Sequence, residues 1–156
     1  MNVVITGANR GIGLELVRHC LSRGDVVHAG GRAPAQAAEL TALIRNAVGR
    51  LHVHTLDVAN PSSVRAFGMG LPGPVHLLIN NAGVRSRPDA LSDRDGDDLT
   101  RAFQVNAVAA LRVTVALLAQ LRAAGGAKVA NLSSNLGSIA DNSWVAPTAT
   151  ACPRRR

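Results

Sequence analysis

Five short apolar runs alternate with segments of helical periodicity, and this rhythm most narrows what the chain can fold into. The runs are "NVVI" (2–5), "VVHAG" (26–30), "LHVHTLDV" (51–58), "VHLLIN" (75–80) and "AKVANLS" (127–133). Short, nearly unbroken apolar runs suit strands that are buried on both faces. After the first run, Ile12, Leu16, Val17, Cys20 and Leu21 recur at helical spacing, and Gly24 suits the left-handed residue beyond a helix end. Leu40, Leu43, Ile44, Ala47 and Val48 make a second stripe after Pro34. Asn60 and Pro61 suit the N-cap and first position of a short helix. Residues 98–123 read as one long helix, with Asp97 and Asp98 favourable at its positive end. Strand–helix alternation with right-handed crossovers leads to an α/β fold, a doubly wound parallel sheet of five strands. At 156 residues the chain makes one such domain, covering 1–143, with an irregular basic tail over 144–156.

Composition excludes several other classes. Hydrophobic residues are 47% and charged ones 17%, a globular balance. The longest apolar run falls far short of a membrane span. Met1 leads directly into the first run without the pattern of a secretory leader, so a cytoplasmic chain with no membrane partner is expected. Cys20 and Cys152 stand in unrelated contexts, which fits a reducing compartment. A net charge of +7 raises nucleic acid as a partner. Against that, the arginines are scattered, three of them (Arg154, Arg155, Arg156) end the tail, and aromatics for stacking are only 2%. His52 and His54 share one face of the third run, but two ligands are too few for a metal centre. "DRDGDD" (93–98) lacks the glycine position and final Glu of a calcium loop and reads as a solvated approach to the long helix. Asn131-Leu132-Ser133 is a formal glycosylation triplet on a strand expected to be buried.

In a doubly wound sheet ligands gather beyond the carboxyl ends of the strands. The first run is followed by "TGANRGIGLE", in which Gly7, Gly11 and Gly13 have the spacing G-x-x-x-G-x-G. This differs from the dinucleotide fingerprint G-x-G-x-x-G, but the physics is shared. Glycines permit a tight turn and let backbone N–H groups reach a pyrophosphate, which rests on the helix N-terminus at Ile12. An ordinary glycine-rich turn is the alternative. The second run is followed by Arg32, with no acid to take a ribose hydroxyl. Arg10, beside Asn9 in the glycine turn, adds a second guanidinium, and the pair suits a ribose 2′-phosphate unless both are merely solvated. NADP is therefore favoured over NAD. After the third run, Asp57 could accept from an adenine amine and the Val58 backbone could complete that edge, or Asp57 could cap its own turn. After the fourth comes Asn80-Asn81-Ala82-Gly83, where Asn80, Ala82 and Gly83 are the candidates for the cofactor and the last two leave room for ribose and nicotinamide. A plain turn is again the alternative.

Thr6-Gly7-Ala8-Asn9-Arg10-Gly11-Ile12-Gly13, Asp57-Val58, Asn80-Asn81-Ala82-Gly83 and Asn131-Leu132-Ser133-Ser134, in this order, resemble the short-chain dehydrogenase/reductase family in its classical form. The resemblance covers about residues 1–143, and "LGSIADN" (136–142) resembles its C-factor-like, carbonyl-reductase-like branch. It implies a Rossmann-type NAD(P)-binding domain, a small carbonyl or alcohol substrate, and hydride transfer. The family's catalytic set is Asn, Ser, Tyr and Lys. Its Asn corresponds to Asn106 in "FQVNAVAA", where it helps hold a water in the proton relay, and its Ser to Ser134, which would hydrogen-bond the substrate oxygen. Asn106 could otherwise be a helix-face polar residue, and Ser134 a strand-end cap. The family forms homo-oligomers through the long helix and the next one. That next helix is not recognisable here, which leaves oligomerisation open.

The resemblance also exposes a loss. The family Tyr should stand near positions 147–150, where the sequence reads "PTAT", and the chain contains no Tyr. The family Lys should follow four residues later, yet the one lysine is Lys128, at the start of the fifth run. Reducing a carbonyl needs a proton at the nascent alkoxide. A lysine lowers the pKa of the donating Tyr, and such acid–base catalysis contributes on the order of 10² to 10⁴-fold. Neither Ser134 nor Asn106 titrates near neutrality. The strands that follow the fifth in the family are also missing, so an apolar uncovered edge, marginal stability and aggregation are expected.

The tail permits a specific account of that loss. Pro147–Arg156 can be encoded CCT ACC GCT ACC GCG TGT CCA AGG CGG CGG. Read from the third base, this gives Tyr-Arg-Tyr-Arg-Val-Ser-Lys-Ala-Ala, with Y-x-x-x-K where the family carries it. A frame change near residues 144–147 is therefore expected to have replaced the catalytic segment. The resulting expectation is an oxidoreductase-family chain without catalytic competence. The alternatives are a non-catalytic nucleotide-sensing or interaction module and, at the least weight, a basic nucleic-acid binder.

Overall fold

The computed structural model of the chain describes residues 1–85 and 96–134. Its elements in chain order are β1 (Asn2–Thr6), α1 (Gly11–Ser22), β2 (Val26–Gly31), α2 (Ala38–Asn46), β3 (Leu51–Thr55), α3 (Pro61–Gly70), β4 (Leu77–Asn80), α4 (Gly96–Phe103), α5 (Ala109–Ala116), α6 (Leu118–Ala123) and β5 (Lys128–Asn131). The strands lie side by side in the order β3-β2-β1-β4-β5, every pair parallel. The order reverses between β1 and β4, so a crevice opens at that switch point, beyond the strand ends.

Alternation along β1 divides the core. Val3 and Ile5 pack with Leu14 and Val17 of α1 and Leu40 of α2. Val4 packs on the opposite face with Val64 and Phe67 of α3 and Val113 of α5. All three β1 residues are fully buried, which is why the run reads as continuously apolar rather than alternating. The helix ends follow local chemistry. Asn60 Oδ1 accepts from the backbone N–H groups of Ser62 (2.9 Å) and Ser63 (3.2 Å), capping α3. Gly24 ends α1 at φ +85°.

Three features depart from the sequence reading. The expected helix over 98–123 starts at Gly96 and is not continuous: a π turn at Gln104–Val108 separates α4 from α5, and α5 breaks again at Leu117. One extra residue in a turn leaves an apolar stripe nearly intact, so periodicity does not reveal it. The stripe of α2 is only partly a core face. Leu40 and Ala47 are buried, but Ile44 is 43% and Val48 83% exposed. β5 stands at the edge of the described sheet with every residue exposed, so the triplet at Asn131 does not lie on a buried strand. Among the described residues no helix is long and apolar enough to cross a membrane. The 143/144 boundary, the Leu136–Asn142 motif and the tail lie outside the described residues.

Val48 holds φ +48° and Gly49 φ +75°, a pair of left-handed residues that turns the chain from α2 into β3. A β-branched side chain is poorly suited to that conformation, while Asn tolerates it. Val48 is exposed, so its replacement sacrifices little packing. Val48→Asn is expected to stabilise the chain by about 1 kcal/mol in urea denaturation. An unchanged midpoint would show that the turn stores no strain.

Candidate functional site

A cleft of about 1000 Å³ opens over the carboxyl ends of β1 to β4. Gly7, Asn9, Arg10, Gly11, Ile12 and Gly13 form one wall, and Arg32, Asp57, Val58, Ala82 and Gly83 the rest of the predicted set found there. These residues are far apart in sequence, and the parallel register brings them together.

The glycine turn is built for close approach. Gly7 lies at φ +65°, and a Cβ there would meet Ala82 Cα at 2.8 Å. At Gly13 a Cβ would meet Gly7 O at 2.2 Å and Asn81 Nδ2 at 2.5 Å. The first turn of α1 carries no acidic residue and no side-chain cap, so its amides face the cleft with a positive field. Arg10 and Arg32 are both exposed on the cleft wall. The arrangement fits an anionic ligand that runs along the glycine turn.

Asn81 is the residue that sequence reasoning passed over. Its Nδ2 donates to Thr6 O (2.9 Å) and Gly7 O (3.0 Å), stapling the glycine turn to the end of β4. Thr6 Oγ1 in turn accepts from the backbone N–H groups of Asn81 and Ala82, both at 3.0 Å. Asn80 does not line the cleft. It is buried, and its Nδ2 donates to Asn131 Oδ1 (2.8 Å), Thr114 Oγ1 (3.3 Å) and Ala110 O (3.4 Å), tying β4 to α5 and β5. A small cavity of about 30 Å³ beside it is lined by Thr6, Asn106 and Asn131 among others.

Asp57 makes the Asx-type turn that was the alternative for it: Oδ1 accepts from Ala59 N–H at 3.0 Å. Its other oxygen is left to the cleft it lines. Asn106 sits in the π turn and grips Val84 at two points, accepting from Val84 N–H (2.8 Å) and donating to Val84 O (2.9 Å). Its side chain thus fixes the segment after β4. Ser134 lies three residues beyond the end of β5 and is exposed.

Away from the cleft, register adds His28 to the two histidines of β3. His28 pairs with His52. Their rings stack at 4.9 Å, and His28 Nδ1 lies 3.1 Å from His54 Nε2. His54 also meets Phe67 edge-on at 5.3 Å. Stacked rings do not converge on a point, and among the described residues no group of three side chains could hold a metal ion. Burial, reinforced by His54 and His52, pushes His28 down to about 4. Burial, then His52, lowers His54 as well. Both are neutral at pH 7.

Comparison with known proteins gives a consistent picture. A family model described as short chain dehydrogenase matches residues 1–150. The uncharacterized oxidoreductase YusZ of Bacillus subtilis (strain 168) is 33% identical over 138 residues, covering 86% of this chain and 49% of that protein. The C-signal protein of Myxococcus xanthus is 46% identical over 80 residues, 51% of this chain and 48% of that one. The chain thus spans about half the length of these curated relatives. A carbonyl reductase from Pseudomonas aeruginosa PAO1, solved in complex with NADP, superposes with a TM-score of 0.85 at 34% identity, covering 93% of this chain and 66% of that structure.

Proposed function

Because the chain belongs to the short-chain dehydrogenase family, we propose that its cleft binds a nicotinamide dinucleotide, NADP(H) ahead of NAD(H), and that the chain as it stands transfers no hydride. The observation that carries the binding half is the glycine turn, packed so closely that a Cβ at Gly7 would meet Ala82 and one at Gly13 would meet Gly7 O and Asn81, which holds the uncapped amide end of α1 at the cleft wall. Gly11 and Ile12 would hold the pyrophosphate, Asn9 and the guanidinium groups of Arg10 and Arg32 the 2′-phosphate, and Asp57 with the Val58 N–H the adenine edge. Ala82 and Gly83 would let the nicotinamide ribose lie against the backbone. The bound dinucleotide supplies the hydride chemistry. The chain's own part would be to orient a small carbonyl or alcohol substrate through the Ser134 hydroxyl.

The missing step is the proton. No Tyr is among these 156 residues and their lysine starts β5, so the acid–base pair that the family uses is not found in them. The frame-shifted reading of residues 147–156 accounts for that loss. An intact cleft without its acid–base pair also suits a second reading, a nucleotide-sensing or interaction module. We place the chain in the cytoplasm, with residues 1–143 as the dinucleotide-binding domain, and assign it no nucleic-acid partner.

One pair of measurements tests this. NADPH at about 100 times its Kd is expected to stabilise the chain by about 2.7 kcal/mol, read as a raised Tm, with NADH weaker at equal concentration. NADPH oxidation with a panel of aldehydes and ketones is expected to stay at the blank rate. No thermal shift would overturn the binding half, and clear turnover the catalytic half.

A further inference from the structure

We propose that Arg112 is a positioning residue for adenine: from α5, without touching the ligand, it shapes the turn after β3 that reads the base. The proposal rests on the dinucleotide reading above. Ala109, Arg112, Val113 and Ala116 fall at the i, i+3, i+4, i+7 spacing of a core stripe. Ala109 and Val113 are buried, and Arg112 is half-buried between them. A guanidinium in such a stripe breaks the local rule, and broken local rules concentrate at sites that serve function.

Its hydrogen bonds show what the guanidinium does there. Nη1 donates to Val58 O (3.1 Å) and Ala59 O (3.2 Å), and Nη2 to Gln104 Oε1 (3.2 Å) in the π turn. The rest of the turn is held from within. Asp57 N–H donates to Ser63 Oγ (3.0 Å), Ala59 N–H to Asp57 Oδ1 (3.0 Å) and Asn60 N–H to Asp57 O (3.1 Å). Among the described residues, the Val58 N–H and the second carboxylate oxygen of Asp57 take no partner. Asp57 and Val58 both line the cleft, and one donor beside one acceptor complements the ring nitrogen and amine of adenine. Arg112 holds the carbonyls of the two peptide planes that follow the donor's own, Val58–Ala59 and Ala59–Asn60, and so anchors the turn from which the Val58 N–H projects. Only a planar fork spans two successive carbonyls and a third oxygen on another element; an ammonium acts as a single point.

The test compares NADPH with its hypoxanthine analogue, in which a carbonyl replaces the amine, and with reduced nicotinamide mononucleotide, which lacks the base. The wild-type chain is expected to prefer NADPH over the hypoxanthine analogue by about tenfold or more. Arg112→Met is expected to bring that preference within about twofold while leaving the mononucleotide Kd unchanged, and Arg112→Lys to restore only part of it. A merely structural role would move Tm and all three affinities together. Full adenine preference in Arg112→Met overturns the proposal alone. A wild-type chain that binds neither dinucleotide overturns the proposal and the reading beneath it. If Arg112→Met does not fold, Gln104→Leu and Arg112→Lys decide: an unchanged preference in both overturns the proposal, and a reduced preference in both supports it.

Discussion

Gly13→Ala is expected to destabilise the chain by about 3 kcal/mol or more and to abolish dinucleotide binding, whereas Gly11→Ala costs about 1 kcal/mol. The two positions belong to one motif but meet different constraints. At Gly13 a Cβ would sit 2.2 Å from Gly7 O and 2.5 Å from Asn81 Nδ2. Neither can retreat alone, because that amide donates to both Thr6 O and Gly7 O. Moving it leaves buried backbone carbonyls unpaired, which adds a desolvation cost to the overpacking. At Gly11 nothing lies within 4 Å, and only the φ of +54° opposes a side chain. Urea denaturation measures both costs, and the NADPH-induced Tm shift measures binding. If Gly13→Ala unfolds within 1 kcal/mol of Gly11→Ala, close packing does not explain the motif.

That contrast shows where sequence reasoning reaches and where it stops. The glycine spacing was legible because a βα turn at a strand end has few backbone solutions, and each solution names its glycines. The five strands were legible because burial on both faces removes polar residues from the run. Which of two adjacent asparagines faces the cleft was not legible. Successive residues at a strand end point to opposite faces, and Asn80-Asn81 looks the same in either phase. The sequence reading gave Asn80 to the cofactor. In the fold its side chain runs under α5, and Asn81 staples the glycine turn. The π turn at Asn106 was hidden for a related reason: it inserts a single residue into a stripe whose apolar members remain in place. Arg112 left a trace, a cation in a core stripe, but its partners Val58 and Ala59 are more than fifty residues away in sequence. The histidine cluster required register. Alternation along β3 paired His52 with His54, and only the β2–β3 ladder brings in His28.

Acidification from pH 7 to pH 4 is expected to cost the chain about 3 kcal/mol through His28. His28 is 4% exposed, and its folded pKa lies at about 4 against an ordinary 6.5. Between those values the unfolded chain binds a proton that the folded chain refuses, so unfolding takes up a proton and stability falls as pH falls. The contribution is fully present above about pH 6.5, declines through the interval, and is exhausted below about pH 4. His54 is displaced in the same direction, so it adds to the loss rather than offsetting it. The stacked ring of His52 and the edge of His54 face His28, and a second positive charge among them would be repelled. Urea denaturation of the wild type and of His28→Val at pH 7, 5.5 and 4 measures the effect. Valine suits a central strand, and the half-buried His54 can turn its freed nitrogen to water. Carboxylates titrating in the same window act on both chains alike, so the difference in slope isolates the imidazole. His28→Val is expected to lose most of the decline between pH 6.5 and 4. Parallel curves for the two chains would mean that His28 is protonated in the fold as readily as outside it, and that its burial among the other two rings imposes no cost.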